Sequence, residues 1–276
     1  MKQIFSHDGI IKPLKEAQIP ADSIESMYGF GVYETLKVRN GMCYFTKEHV
    51  NRLLHSAGCI ELEHTLSAAK IEEWVRALVL AYQEEAFNIK LLLMGGHEKM
   101  DAQLYIFPLA PFFPKRAWYR DGVGVRSFLY ERWMPQSKSL NMLPSYYYYR
   151  KAQSEGKYDA LFVDSDGNMR EGSRTNIYFL KDNQIFSPPK EDILEGVTMM
   201  SLEQAVKKTP FEIMYKKIPY TSISAYDSVF LTSTSTKIIP VNSIDAVPVQ
   251  ISDKLRLIMR HYNEALDSSA GILDRM

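Results

Sequence analysis

The chain has 276 residues, 46% of them hydrophobic and 24% charged, a balance that permits packed cores over about two domains and excludes a disordered or fibrous chain. Basic and acidic side chains number 33 each, so no basic field marks a nucleic-acid or acidic-membrane partner, and action on small molecules or on other proteins is expected. Cys43 and Cys59 are too few for a disulfide framework and lack metal-ligand spacing. No apolar run suits a signal peptide, since His7 and Asp8 interrupt the start, and none approaches the roughly 20 residues of a spanning helix; a cytoplasmic location is expected.

In chain order, Val32–Val38 alternates apolar and polar residues, Asn40-Gly41 reads as a hairpin turn, and Met42–Phe45 as the returning strand. Thr46 is the expected N-cap of a helix over 47–58, with Val50, Leu53, Leu54 and Ala57 on one face and Gly58 at its end. Ser67 should cap a longer helix to about Ala86, with Ile71, Trp74, Val75, Leu78, Val79 and Tyr82 at helical spacing. Strands follow at Ile89–Met94 and Gln103–Pro108. The prolines at 108, 111 and 114 mark a junction, giving a first domain over 1–113, a linker over 114–122 and a second domain over 123–276.

The second half opens on a strand, Val123–Tyr130, then an irregular stretch and a helix over Leu143–Glu155. Asp159–Val163 and Thr175–Leu180 read as strands on either side of the turn Ser165-Asp166-Gly167. A helix begins at Val197, strands cover Glu212–Lys216 and Asp227–Leu231, and a last helix spans Ser252–Leu266. The pattern is α+β or a mixed barrel, without doubly wound alternation or a glycine-rich phosphate fingerprint.

Four places could carry chemistry. Lys138 sits among small polar residues ahead of an apolar, aromatic helix, either held near a core or solvated in a loop. The run Arg170–Asn176 lies between two apolar strands, as a site or as a charged turn. Ile193–Thr198 heads a helix whose first N–H groups suit an anion, unless the helix is simply capped. Thr232–Thr236 is a hydroxyl cluster following a strand. The six histidines show no metal spacing, and His49 and His55 read as surface or packing residues.

These stretches carry a resemblance. Gly29–Gly41 (GFGVYETLKVRNG) and Glu48–Leu53 (EHVNRL) resemble the N-terminal motifs of class IV, or fold-type IV, aminotransferases. Trp133–Leu143 (WMPQSKSLNML) is similar to their cofactor-bearing lysine segment, in the form found in D-amino-acid aminotransferases. Glu171–Ile177 (EGSRTNI) resembles the family's Glu-Gly-Ser-x-x-Asn strand, and Leu194–Thr198 and Leu231–Val241 resemble its two phosphate-side loops. The matches run in family order.

The resemblance implies an α+β fold, with a small N-terminal α/β domain, a larger C-terminal pseudo-barrel domain and pyridoxal 5′-phosphate between them, in a homodimer. Lys138 would bear the cofactor and move a proton at the substrate Cα; Glu171 would face the pyridine nitrogen and keep it protonated. Arg52 would bind the phosphate, with Val197 and Thr198 at the helix start and Ser233 and Thr234 as loop donors. Tyr33 would line the substrate side, or pack in the small domain. The implied reaction moves an amino group between a branched-chain L- or a D-amino acid and a 2-oxo acid. Alternatives are a β-elimination of the aminodeoxychorismate lyase kind and a non-catalytic cofactor-binding homologue.

The chain also departs from the family. Met94-Gly95-Gly96-His97 stands where D-amino-acid aminotransferases and aminodeoxychorismate lyases usually carry an Arg-Gly step, removing an arginine that could fork onto a substrate carboxylate. Lys90 occupies a strand position where branched-chain enzymes place an arginine, and reads as a carboxylate contact or a plain strand lysine. The four consecutive tyrosines, Tyr146 to Tyr149, must point to all sides of their helix.

Overall fold

The structure is a computed structural model that describes residues 2–269 except Ala21 and Lys208. Contacts divide the chain into two units: residues up to Phe112 with Ser137–Asn141, and Phe113–Gln136 with Met142 onward. Ser137–Asn141, grouped with the second half on sequence, therefore belongs to the first unit.

The first unit contains β1 (Ile4–His7), β2 (Ile10–Pro13), α1 (Ile24–Tyr28), β3 (Gly31–Arg39), β4 (Met42–Cys43), α2 (Thr46–Cys59), α3 (Ala68–Tyr82), β5 (Ala86–Met94) and β6 (Gln103–Leu109). Its sheet runs β2-β1-β6-β5-β3-β4. Alternation along β3 sends Val32, Leu36 and Val38 into a core shared with Ile89, Leu91 and Leu93 of β5, Val50 and Leu53 of α2, and Ile71, Val75 and Leu78 of α3. The β3–β4 turn puts Asn40 and Gly41 both at positive φ, 53° and 72°, as a two-residue hairpin requires.

Two helix ends differ from the sequence expectation. Thr46 opens α2 from inside, and Phe45 precedes it in the left-handed region, so no side-chain cap forms. The second helix stops at Tyr82, because Gln83 turns left-handed (φ 61°) and Ala86 is already paired with Arg39 in the sheet. Sheet pairing takes the residues that helical periodicity had claimed.

Because β4 covers only the far end of β3, the near end keeps an open edge, and Ser137–Asn141 fills it. Tyr33 N–H donates to Lys138 O (3.0 Å), and Leu140 N–H donates to Gly31 O (2.9 Å). Gly31 must be glycine: a Cβ there would lie 2.6 Å from Leu93 O and 2.9 Å from Leu140 Cδ1. Buried Ser56 of α2 closes the other side, accepting from Lys138 N–H at 3.0 Å, while Ser137 Oγ donates to Ser56 O at 3.0 Å.

The second unit contains α4 (Arg116–Asp121), β7 (Val123–Leu129), α5 (Leu143–Ser154), β8 (Asp159–Val163), β9 (Met169–Gly172), β10 (Asn176–Lys181), β11 (Gln184–Ser187), α6 (Val197–Val206), β12 (Glu212–Tyr215), β13 (Ser228–Ser233), β14 (Lys237–Ile244), β15 (Val247–Pro248) and α7 (Asp253–Ser269). Its mixed sheet runs β12-β11-β10-β13-β14-β7-β8-β9, with β15 on β14. The expected linker holds α4, and β9, β11, β14 and β15 were not assigned from sequence. These strands are short or interrupted by polar residues, and only their neighbours in the sheet supply the missing hydrogen-bond partners.

Of the four tyrosines on α5, Tyr148 packs among Phe128, Tyr130 and Phe162, and Tyr149 lies under Arg174 (4.0 Å). Tyr146 and Tyr147 are exposed.

Ser56→Ala should strand the Lys138 N–H without its acceptor and destabilise the protein by about 1–3 kcal/mol. A denaturant titration reads this as a lower midpoint with unchanged slope. An unaltered midpoint would remove Ser56 as the anchor.

Candidate active site

In the first unit, the half-buried face of β3 presents Tyr33, and two ammonium groups stand over its ring. Lys138 Nζ is 4.5 Å from the ring centroid and Lys90 Nζ 4.7 Å. Lys90 reaches this ring from β5, where it pairs with Thr35. The structure thus gathers Lys138, Tyr33 and Lys90 on one surface, with the main chain of Lys138 held on both sides. Each cation–ring contact contributes about 0.5–1 kcal/mol at a partly exposed site, enough to bias side-chain orientation.

The opposite face of β3 carries Glu34, which sequence reading passed over. It is fully buried. Arg52 grips it with both ends of its fork, Nε to Oε1 at 2.6 Å and Nη2 to Oε2 at 2.9 Å. His49, one turn before Arg52 on α2, adds Nδ1 to Oε2 at 2.8 Å, and Thr35 N–H donates to the same oxygen at 3.1 Å. Burial pushes the Glu34 carboxyl up, but Arg52 and His49 overcome it and hold the group well below the usual carboxylate range. Burial pushes the His49 imidazole down, outweighing the pull of Glu34, and the charges of Arg52 and Lys138 add to the fall.

His49 is therefore neither surface nor simple packing. With its Nδ1–H on the carboxylate, its buried Nε2 has no hydrogen-bond partner in the structure. The sequence signal was available: an acid on the inward parity of an apolar strand, and two basic side chains one turn apart on the next helix.

In the second unit, Glu171 lies on β9 with its side chain 7% exposed. Arg132 Nε donates to Oε1 at 2.6 Å, and Leu194 N–H donates to Oε2 at 3.1 Å. Asn176 Nδ2 donates to Leu194 O at 2.8 Å, so the Glu and Asn of one motif grip both polar groups of a single loop residue. That clamp sets the start of α6. Its N-cap is Gly196, which offers no side-chain acceptor, and a Cβ there would fall 2.3 Å from Asn176 Oδ1. Buried Val197 and Thr198 follow in the first turn, where N–H groups lack intrahelical partners and the helix dipole favours an anion.

Ser233 ends β13, and its hydroxyl is engaged within its own turn, to Thr236 Oγ1 at 2.7 Å and Thr236 N at 3.3 Å. Thr234 is half-buried in that turn. Arg132 escaped sequence reading because a lone arginine in an irregular stretch carries no pattern. Among the described residues, no His, Cys, Asp and Glu group is arranged to hold a metal, and no helix is long and apolar enough to cross a membrane.

The family model for amino-transferase class IV matches residues 31–244, and the chain belongs to that family. A D-alanine aminotransferase of Bacillus licheniformis is 28% identical over 257 residues, covering 89% of each chain. A probable branched-chain-amino-acid aminotransferase of Rickettsia felis is 24% identical over 264 residues, again 89% of each. The fold matches the PLP-bound form of a hypothetical aminotransferase from Mycobacterium tuberculosis, at a TM-score of 0.83 and 20% identity, covering 96% of this chain and 99% of that one. This mixed α/β fold is that of fold-type IV, and the protein is an aminotransferase that works with pyridoxal 5′-phosphate.

The residues present suit that cofactor on three counts. Glu171 is a nearly buried, charge-paired carboxylate; α6 starts on a glycine without a side-chain cap, leaving first-turn N–H groups suited to an anion; and Lys138 is a lysine with a fixed main chain.

Glu34→Gln should break the buried ion pair and cost about 3–5 kcal/mol in unfolding experiments near neutral pH. Both groups have depressed values in the folded protein, so their stabilisation is complete above the unfolded values and declines on acidification. The unfolded chain takes protons near about pH 6.5 on His49 and about pH 4.3 on Glu34 while the folded protein resists. Wild-type stability should fall below about pH 5 more steeply than that of the variant. Equal slopes would contradict the pairing.

Proposed function

We propose that this enzyme moves an amino group between an amino acid, of branched-chain L or of D type, and a 2-oxo acid, with Lys138 bearing the cofactor. The observation that carries the reading is Lys138 itself, pinned through N–H to Ser56 and through C=O to Tyr33 N–H, its ammonium on the Tyr33 ring. A lysine that must both hold the cofactor and carry a proton to and from the substrate Cα needs a fixed base, and this one has it.

When bound, pyridoxal phosphate supplies the electron sink that stabilises negative charge at Cα. Glu171 holds the proton on the ring nitrogen. Arg52, the first-turn N–H groups of Val197 and Thr198, and Ser233 with Thr234 bind the phosphate. Arg52 already forks onto Glu34, so its charge would be shared between that carboxylate and the phosphate. Tyr33 lines the substrate side, and Lys90, on the same ring, attracts a substrate carboxylate. Lysine supplies charge without the fork of an arginine, which favours a looser carboxylate fit.

We also propose a homodimer in the cytoplasm. Leu143, Tyr146 and Tyr147 share one face of α5 by helical spacing and are exposed, as is Trp133, an apolar surface that a second copy would cover. Cys43 and Cys59 form no disulfide, which suits a reducing compartment.

The purified protein should show a cofactor absorption band, and borohydride reduction followed by peptide mapping should place the cofactor on Lys138. With D-alanine or L-leucine as donor and 2-oxoglutarate as acceptor it should form the matching 2-oxo acid, and Lys138→Ala should not. Label on another residue would sink the Lys138 assignment, and multiple-turnover pyruvate release from aminodeoxychorismate without any 2-oxo acid would favour elimination instead. Glu171→Gln should retain cofactor while turnover falls about 10- to 100-fold, the loss expected for one charge-assisted hydrogen bond. Turnover equal to wild type would remove its role. Sedimentation should report twice the chain mass, and monomeric active protein would refute the dimer.

A further inference from the structure

Two ion pairs of opposite sense tie the loop after β7 to β9. Glu131 takes Arg170 (3.2 Å) and Arg132 takes Glu171 (2.6 Å), so adjacent residues of alternating sign meet adjacent residues of the reverse sign. Arg170 is also shared with Asp164 and Asp192, which commits its charge away from Glu171. The guanidinium that serves Glu171 is Arg132, tethered further by donating to Pro135 O in its own loop. Arg132 is 13% and Glu171 7% exposed, so solvent screens their attraction weakly.

We propose that Arg132 is a positioning residue that, by its contact with Glu171, favours a proton on the ring nitrogen of the bound cofactor. The inference rests on the reading that Glu171 faces that nitrogen. A carboxylate has about four lone-pair sites. Arg132 fills one on Oε1 and Leu194 N–H one on Oε2, leaving a site on each oxygen for the ring N–H.

The proton between nitrogen and carboxylate has two resting places, and Arg132 decides between them. With the proton on nitrogen, Glu171 is negative and the guanidinium touches it. With the proton on oxygen, both partners are neutral and that contact loses its charge. The guanidinium would also repel a protonated ring nitrogen, but a nitrogen bound at a remaining lone-pair site would stand farther from it than the carboxylate oxygens do. Attraction across the shorter distance exceeds repulsion across the longer one. Without Arg132, the state with the proton on nitrogen loses the guanidinium in contact with the carboxylate. Arginine suits the task because it stays charged in a buried place. The other titratable groups around the pair are Tyr130, whose hydroxyl feels both charges, and Arg170, already committed.

The test loads the apoprotein with pyridoxal phosphate carrying nitrogen-15 in its ring and records the ring-nitrogen resonance against pH. Wild type should show the protonated position at neutral pH; the unprotonated position there would overturn the inference without any variant. Arg132→Met should move the resonance toward the unprotonated position and lower kcat at least tenfold. Arg132→Lys, which keeps the charge and loses the fork, should return most of the protonated signal. Arg132→Gln makes the same test as the methionine variant should that protein not fold. Glu171→Gln separates the two claims. If it leaves the resonance as in wild type, Glu171 does not face the nitrogen and the underlying assignment fails. If it shifts the resonance while Arg132→Met and Arg132→Gln do not, the role given to Arg132 fails.

Discussion

A carboxylate sealed inside a protein must bring its counter-charge with it, and Glu34 does so in the first unit. Its side chain has no exposure, and its oxygens receive Arg52, His49 and the Thr35 amide. Leaving any of these unmet would cost several kcal/mol against a folding stability of about 5–15 kcal/mol, so β3 and α2 can adopt only one relative arrangement. The rest of the unit follows from that arrangement. With α2 fixed on the inward face, Ser56 stands where it anchors Lys138, and Tyr33, one residue along β3, takes the other face by strand alternation. One inward acid thus sets the position of the residues on the outward side.

The second unit uses the same device at lower burial. Glu171 is matched by Arg132, and its second oxygen holds the Leu194 amide, while Asn176 holds the Leu194 carbonyl. A loop residue with both polar groups bound cannot shift, and the helix that begins after Gly196 inherits that precision. The uncapped start of α6 is a small local cost, because a helix beginning on glycine forgoes a side-chain cap, roughly a few tenths of a kcal/mol. Such a deficit is expected where a ligand supplies the missing acceptor.

Much of this was legible beforehand because it depends on periodicity. The inward face of β3, the apolar stripe of α2, and the strands at 159–163 and 228–233 follow from alternation or helical spacing, which each residue carries in its own side chain. The motif residues Lys138, Glu171, Val197 and Thr198 stood out by resemblance. What escaped was relational. Glu34 looked like the polar half of an alternating strand, His49 like a surface or packing residue, and Arg132 like a charge in a loop. Each matters through a partner 15 to 39 positions away, a distance that no local pattern spans.

The amino acids by themselves determined the family, the cofactor chemistry and most of the elements, because type and spacing along the chain suffice for these. Tertiary structure alone decided which charges are shared. It turned Arg52 from a free cation into half of a buried pair, set Lys90 and Lys138 on one aromatic ring, and gave Glu171 its own guanidinium. The physical reason is that electrostatic interactions depend on distance through space and on burial, and neither quantity exists until the chain has folded.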